Sequence, residues 1–385
     1  MKILLYTHTF APKVGGQESI VMLLARGLAR FSSFNDLIEL VLVTPTPASG
    51  MKDTELPFRV VRQPSLPVLL RLLHRADVVH LAGPLFLPMV LGTLLRKPIV
   101  VEHHGFQVIC PNGQLLFEPT QEPCPGHFMA KRYSECIRCN SQRGKLRSMK
   151  MWLLTFPRRW LCQHLATNVL PTNWLGTLLQ LNRMETIVHG LPPIETEVAR
   201  GVPPRVPTFA FVGRLVSTKG VRVLLRAAQQ LKTTGLSFRV KIIGPGPDRP
   251  GLERLARDLQ VEDCVEFLGY IPLEQLERSL ADATAIVMPS LAGEVFGLVA
   301  AEEMQRGRLV IVSDIGALAE VVGDAGLKFP PGDAHALARC METVITNPSL
   351  AQELGRKASW RAAQFFSADQ MASEHFRVYE ELNRR

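Results

Sequence analysis

Thr284-Ala-Ile-Val-Met-Pro-Ser290, Glu294-Val-Phe-Gly-Leu-Val-Ala-Ala-Glu302 and Gly307-Arg-Leu-Val-Ile-Val-Ser-Asp314 read as strand, helix and strand. The two apolar runs are short, β-branched and bounded by turn residues, as buried strands are. A helix from Gly297 to Gln305 between two buried strands makes a parallel pair, the unit of a doubly wound sheet. Two carboxylates, Glu294 and Glu302, flank the point where this helix begins. Unpaired N–H groups and the positive dipole end at Gly297 make a place for phosphate, and the carboxylates beside it suit sugar hydroxyls. Spacing alone equally allows Glu294 to be a capping acid, and Glu302 and Glu303 solvated helix residues.

The same alternation runs through the whole chain. Strand candidates are Ile3–Tyr6, Ile38–Val43, Val78–Leu81, Ile99–Glu102 and Asn168–Pro171, then Thr208–Val212, Arg239–Ile243, Val265–Leu268, Ala285–Met288 and Leu309–Val312. Amphipathic stretches such as Ser19–Arg30, Val221–Lys232, Gly251–Leu259 and Ala334–Thr346 lie between them. At 385 residues two domains are expected, and five prolines between Pro192 and Pro207 mark the break. In open parallel sheets ligands bind beyond the carboxyl ends of the strands, so two such domains facing each other would share one cleft.

The balance of 44 basic to 35 acidic residues favours an anionic partner, and no nucleic-acid-binding motif is present. The apolar run at Met1–His8 is too short for a signal peptide, and prolines and charges interrupt the longest one, Val78–Val101. Seven cysteines without an export signal fit a reducing, cytoplasmic setting.

Further loops leave strand ends at the same edge. Gly15-Gly16 opens the first helix, where backbone could approach a ligand or simply turn. Gly213-Arg214 and Lys219-Gly220 place two cations after Thr208–Val212, either for an anion or as a solvated basic loop. Gly244-Pro-Gly-Pro247 shapes the next turn. Ile99-Val-Val-Glu102 ends in His103-His104. Together with Phe267-Leu-Gly-Tyr270, the Glu-x7-Glu pair, Asp314-Ile-Gly-Ala-Leu-Ala-Glu320 and Phe329-Pro-Pro-Gly-Asp333, this series resembles the family 4 glycosyltransferases, retaining enzymes of the GT-B fold.

The resemblance implies two Rossmann-like parallel-sheet domains facing across a cleft. Residues 1–195 would form the acceptor side, 205–365 the nucleotide-sugar domain, and 366–385 a helix packing back on the first domain. It sets Gly15 and Gly16 against the diphosphate and reacting sugar, and Arg214 and Lys219 on the diphosphate. Glu294 would hold the transferred sugar, with backbone at Phe296, Gly297 and Leu298 on phosphate. Glu302 would hold the ribose, and Tyr270 and Ile271 would lie at the base. His104 would be the active-site histidine, with His103 second. The family has proline after the first glutamate; Val295 here keeps an N–H and loosens that turn. Charge on the departing diphosphate would fall to Arg214, Lys219 and the helix end without a catalytic metal. The reaction implied is hexose transfer from a nucleotide sugar to a glycan or lipid-linked acceptor. A GT-B epimerase, a glycogen-type synthase and a non-catalytic nucleotide-sugar binder are the alternatives.

An insert at about 105–165 carries Cys110, Cys124, Cys136 and Cys139. Four thiolates with one C-x2-C suit structural zinc, buried thiols or an iron–sulfur or redox role. From Lys131 to Arg159 nine basic residues stand against one acid, interleaved with Trp and Leu. That pattern suits a helix on the inner, anionic face of a membrane, or one packed on its own domain, and Pro157 is expected to limit its length.

Overall fold

The computed structural model describes residues 1–35, 38–140, 144–194 and 206–384. Most of the proline-rich link, at 195–205, lies outside the described residues. The chain divides into two compact units: Met1–Leu115, Pro125–Pro193 and Phe366–Arg385 form one, and Leu116–Cys124 with Ile194–Phe365 the other.

In the first unit the strands are β1 (Lys2–Tyr6), β2 (Glu39–Thr44), β3 (Arg59–Arg62), β4 (Val78–Ala82) and β5 (Ile99–Glu102). A short hairpin, β6 (Leu116–Phe117) and β7 (Glu122–Pro123), falls to the second unit, and β8 (Ala166–Leu170) and β9 (Met184–Thr186) complete the first. The first sheet is parallel throughout, in the order β3-β2-β1-β4-β5-β8-β9. Its helices are α1 (Gly16–Asn35), α2 (Leu66–Arg75), α3 (Phe86–Leu94), α4 (Tyr133–Cys139), α5 (Lys145–His164) and α6 (Asn173–Leu179).

The second unit holds β10 (Thr208–Val212), β11 (Arg239–Ile243), β12 (Val265–Gly269), β13 (Ala285–Met288), β14 (Leu309–Ser313) and β15 (Leu327–Phe329). They too are parallel, in the order β12-β11-β10-β13-β14-β15. Among the described residues seven helices belong to it: α7 (Val221–Lys232), α8 (Arg249–Asp258), α9 (Leu273–Ser279), α10 (Leu298–Gln305), α11 (Gly316–Val322), α12 (Ala334–Thr346) and α13 (Pro348–Phe365). The last helix, α14 (Ala368–Asn383), belongs to the first unit.

Two parallel-sheet α/β units are thus what the alternation predicted. Phe209 and Phe211 of β10, Leu224 and Leu225 of α7 and Ile242 of β11 lie in one buried core. Each such side chain contributes about 1.5–3 kcal/mol on leaving water. Both sheets reverse their order of growth once, between β1 and β4 and between β10 and β13. At such a point the flanking helices go to opposite faces and leave a crevice at the carboxyl edge.

Two details depart from the sequence reading. Strand β3, Arg-Val-Val-Arg, was not anticipated: an edge strand of four residues carries little apolar signal. Its Arg62 is held by Asp53 at 2.8 Å and by the carbonyls of Ala11 and Thr46 at 2.9 and 3.0 Å. Helix α5 continues through Pro157 to His164, so the proline does not end it. Proline forfeits one backbone bond to the preceding turn, and packing on β8 and α3 carries the helix past it. Among the described residues no helix is long and apolar enough to cross a membrane.

Candidate functional site

The loop leaving β10 is fixed by backbone contacts on both sides. A Cβ on Gly244 would stand 2.0 Å from the Gly213 carbonyl oxygen, and one on Gly246 2.2 Å from that of Leu215. Only glycine lets the Gly244–Pro247 turn stack so closely on this loop. Leu215 N–H donates to Pro245 O at 2.8 Å and Asp248 N–H to Leu215 O at 3.1 Å. On the other side Leu291 N–H donates to Thr218 O at 2.8 Å, and Gly220, at φ +64°, sits where a Cβ would meet Pro289 O at 1.9 Å. The β10 loop is therefore clamped between the exits of β11 and β13, at the crevice of the second sheet.

Two cations ride on this loop. Arg214 is exposed and makes no ion pair among the described residues. Lys219 Nζ donates to Glu294 Oε1, an oxygen that also accepts from Ser290 Oγ at 2.9 Å. Ser313 Oγ in turn holds the Ser290 carbonyl at 2.6 Å. Glu294 is buried, so the lysine supplies the countercharge that a carboxylate needs there. The sequence reading gave these two residues separate partners; the fold makes them partners of each other, 75 positions apart.

Helix α10 begins behind Gly297, whose φ of +98° and 2.3 Å approach to Leu318 Cδ2 both require glycine. Gly297, the N-cap residue, has no side chain to cap this end. Phe296 is buried, so it offers backbone alone, while Leu298 opens the first turn. Glu302, in the second turn, makes no ion pair among the described residues. Burial raises its carboxyl to about 7; Arg306 opposes this, and Glu303 and Glu277 reinforce it. Its neighbour Glu303 is instead tied to Arg308, which also meets Glu277 at 2.9 Å. Two adjacent glutamates thus have different work: Glu303 belongs to the scaffold and Glu302 is left uncommitted. Tyr270 is 70% exposed and follows Gly269, at φ +70°, with Ile271 partly buried next to it. The Gly269 carbonyl accepts from Gly244 N–H at 2.7 Å, which fixes the β12 exit beside that of β11.

In the first unit Gly16 starts α1, with Gly15 just before it. Gln17 Nε2 donates to Ala82 O at 2.9 Å, tying this turn to the β4 exit. The two histidines after β5 differ sharply. His103 is fully buried, pairs with Asn168 Oδ1 at 2.9 Å and is driven by burial down to about 4. His104 stands 3.4 Å from Glu102 Oε2, with its ring stacked on that of His189.

Glu102 is the centre of a cluster that the sequence reading missed. His80 Nε2 lies 3.2 Å from its Oε2; His189 Nδ1 and His375 Nε2 lie 3.5 and 3.9 Å from its Oε1. Burial alone would push this carboxyl up, yet His104, His80 and His375 hold it well below the usual carboxylate range. Burial drives His189 and His375 down to about 3 and 4. Glu102-His103-His104 was visible as a motif. His80, inside an apolar strand, and His375, 273 positions from Glu102, carried no local signal.

Two of the insert's thiols, those of Cys110 and Cys139, lie close to one asparagine. Cys110 Sγ donates to Asn112 Oδ1 at 3.0 Å, and Asn112 Nδ2 donates to Cys139 Sγ at 3.8 Å. Cys136 and Cys139 are buried on α4, and Cys124 is half-buried. The metal-competent groups among the described residues are His80–Glu102–His375 and Glu102–His104–His189, neither of which includes a cysteine.

Comparison with known proteins bears on the second unit most directly. Residues 195–360 match the family model of glycosyl transferases group 1. That group 1 segment spans almost all of the unit carrying Arg214, Lys219, Glu294 and Glu302. The chain is 26% identical over 233 residues to the 2-deoxystreptamine glucosyltransferase of Streptomyces kanamyceticus, a stretch covering 55% of this chain and 60% of that protein. Over 99% of its length it is similar to sucrose-phosphate synthase (tll1590) from Thermosynechococcus elongatus, with a TM-score of 0.72, 21% identity and 98% of that chain covered. It is also similar to Anabaena Alr3699/HepE in complex with UDP-glucose, with a TM-score of 0.70, 17% identity and coverage of 99% of this chain and 100% of the other. These two likenesses are of fold, and they agree with the GT-B architecture expected from the sequence.

Proposed function

We propose that this chain is a retaining glycosyltransferase that moves a hexose from a nucleotide sugar to a hydroxyl of a glycan or lipid-linked saccharide. The observation that carries the reading is the Lys219–Glu294 pair, which ties the loop carrying Arg214 to the residues just before α10, the helix on which Glu302 lies, within a segment that matches group 1 glycosyl transferases.

The chemistry follows from charge. Cleaving the sugar–phosphate bond leaves a nucleoside diphosphate, and negative charge grows on the leaving oxygen. Arg214 is an unspent cation on a rigid loop, so it needs little reorganisation to meet that charge. The N–H groups opening α10 add to it. Lys219 has a double part. By neutralising Glu294 it lets a carboxylate sit near phosphate without repulsion, while only Oε1 is engaged and Oε2 stays available to a sugar hydroxyl. Glu294 is thereby a poor nucleophile and a good grip. Glu302 would take the ribose hydroxyls, with Tyr270 and Ile271 at the base. Gly15 and Gly16 would lie against the diphosphate and the reacting sugar, and His104 would be the active-site histidine. The alternative of a catalytic divalent metal is not needed by these groups.

Two further parts belong to this reading. On α5 the exposed residues Leu146, Met149, Leu153, Phe156 and Trp160 recur every three or four positions, beside the exposed Arg147 and Lys150. This amphipathic stripe supports peripheral contact with an anionic membrane at its cytoplasmic face, where a lipid-linked acceptor would lie. In the insert, Cys110, Cys124, Cys136 and Cys139 are the residues that would hold structural zinc in this reading, which metal analysis of cysteine variants tests.

HepE carries UDP-glucose in its solved complex, so uridine diphosphate sugars are the first donors to assay. Release of nucleoside diphosphate in the presence of an acceptor supports transfer. Tight donor binding with no release from any acceptor would instead identify a non-catalytic binder.

A further inference from the structure

The first unit contains a buried constellation for which sugar transfer has no use. His80 lies in the middle of β4, Glu102 ends β5 and His375 comes from α14; all three side chains are fully buried. Their strand positions are locked by the sheet, where His80 stands opposite Leu5 and Val100, and Glu102 opposite Ala82 and Val169.

The hydrogen bonds decide which atoms face inward. His375 Nδ1 lies 2.8 Å from the Met371 carbonyl, which can only accept, so Nδ1 carries the proton. Its Nε2 then presents a lone pair to Glu102 Oε1, 3.9 Å away, and neither atom has a hydrogen-bond partner among the described residues. Two acceptors facing each other in a dry interior repel, and each forfeits the bond it would have made to water. Something positive between them would satisfy both. His80 completes the set: its Nε2 is 3.2 Å from Glu102 Oε2 and its Nδ1 is 2.7 Å from the hydroxyl of Tyr379, also on α14.

We propose that His80, Glu102 and His375 bind a structural divalent metal of the zinc class, which fastens α14 to β4 and β5. Ligands at zinc bond lengths of about 2.0–2.2 Å stand roughly 3.3–3.6 Å apart in a tetrahedron, and the 3.2 and 3.9 Å separations here bracket that range. Two histidines and a carboxylate are an ordinary zinc set. The second Glu102 oxygen or one water completes four-coordination. Both imidazoles also have the outer partners that orient metal ligands: Met371 O for His375 and Tyr379 Oη for His80. Metal binding requires His80 to shift its proton from Nε2 to Nδ1, where the Tyr379 oxygen accepts it, so the proton count is unchanged. The closed surroundings make the metal structural. Glu102 also touches His104, so the clamp would steady that histidine from behind.

The test is elemental analysis of the full chain, purified without metal-affinity resin or chelator, beside His375→Gln. The expected result is about one equivalent of zinc less in the variant, whatever the cysteines hold, and a melting temperature that a strong chelator lowers in the wild type but not through this site in the variant. Cobalt substitution should show, in the wild type minus variant difference, visible ligand-field bands without sulfur-to-metal charge transfer. Equal zinc in both proteins, or zinc in neither, overturns the proposal. Should His375→Gln not fold, Tyr379→Phe removes only the outer partner. It should weaken zinc about 10–100-fold in competition with a chromophoric chelator, and an unchanged affinity overturns the proposal equally.

Discussion

Charged groups stand at strand carboxyl ends in both units, but they are handled in opposite ways. Around β10 and β13 charge is only partly spent: Arg214 is exposed, Lys219 answers the buried Glu294, and Glu302 is uncommitted, its carboxyl raised by burial to about 7. Around β4 and β5 the charge is sealed: Glu102 is fully buried among four imidazoles. An edge that must meet a changing ligand keeps its charges available, whereas a sealed cluster can serve only something that stays. On this contrast, substitutions at the first edge should change chemistry, and those in the cluster should change stability and metal content.

The largest effect is expected from Arg214→Ala. Removing a preorganised cation from the leaving group should lower kcat/KM for transfer about 10²–10³-fold, with the melting temperature little changed. A loss confined to KM would blunt the contrast, because the cation would then be binding donor and transition state alike.

Glu302→Gln comes next. Hydroxyl donors favour the ionised carboxylate, so donor affinity in the wild type should rise between roughly pH 6 and 8, through the carboxyl's value of about 7. The glutamine variant should show a flat profile and about tenfold weaker binding above that range. Stability without donor should run the other way. A carboxyl raised by burial binds its proton more tightly when folded, so its contribution is full below the ordinary carboxylate range and is lost as pH rises through about 7. Calorimetry across that window, wild type against variant, checks both signs.

Much of this was legible in the sequence, and the limit has a physical cause. Period and turn residues placed β5, β10, β11 and β13 at their observed bounds, because buried parallel strands are continuous apolar runs. The Glu-x7-Glu spacing and the Gly-Arg loop could be read locally, since each lies within a few residues of one strand end. What was not legible was pairing across the fold. Nothing in the spacing tells that Lys219 answers Glu294, or that Glu303, not Glu302, is bound into the scaffold by Arg308 and Glu277. The Glu102 cluster draws on β4, β5 and α14, and polar residues scattered through apolar elements announce nothing until the elements pack.

Tyr379→Phe sharpens the contrast from the sealed side. It should lower thermal stability and zinc retention while leaving donor affinity within about twofold, as independent sites do. The smallest effect belongs to α5: Leu153→Glu with Trp160→Glu should reduce co-sedimentation with anionic vesicles several-fold and leave donor affinity unaltered, since an exposed stripe contributes little to the fold.

The most direct measurement is a thermal-shift titration of the full chain with a panel of nucleotide sugars, repeated on Glu302→Ala and Arg214→Ala. The account predicts that at least one donor raises the melting temperature of the wild type and that both variants lose most of that rise. No response to any nucleotide sugar, or a response that survives both substitutions, would contradict the donor site at β10 and β13.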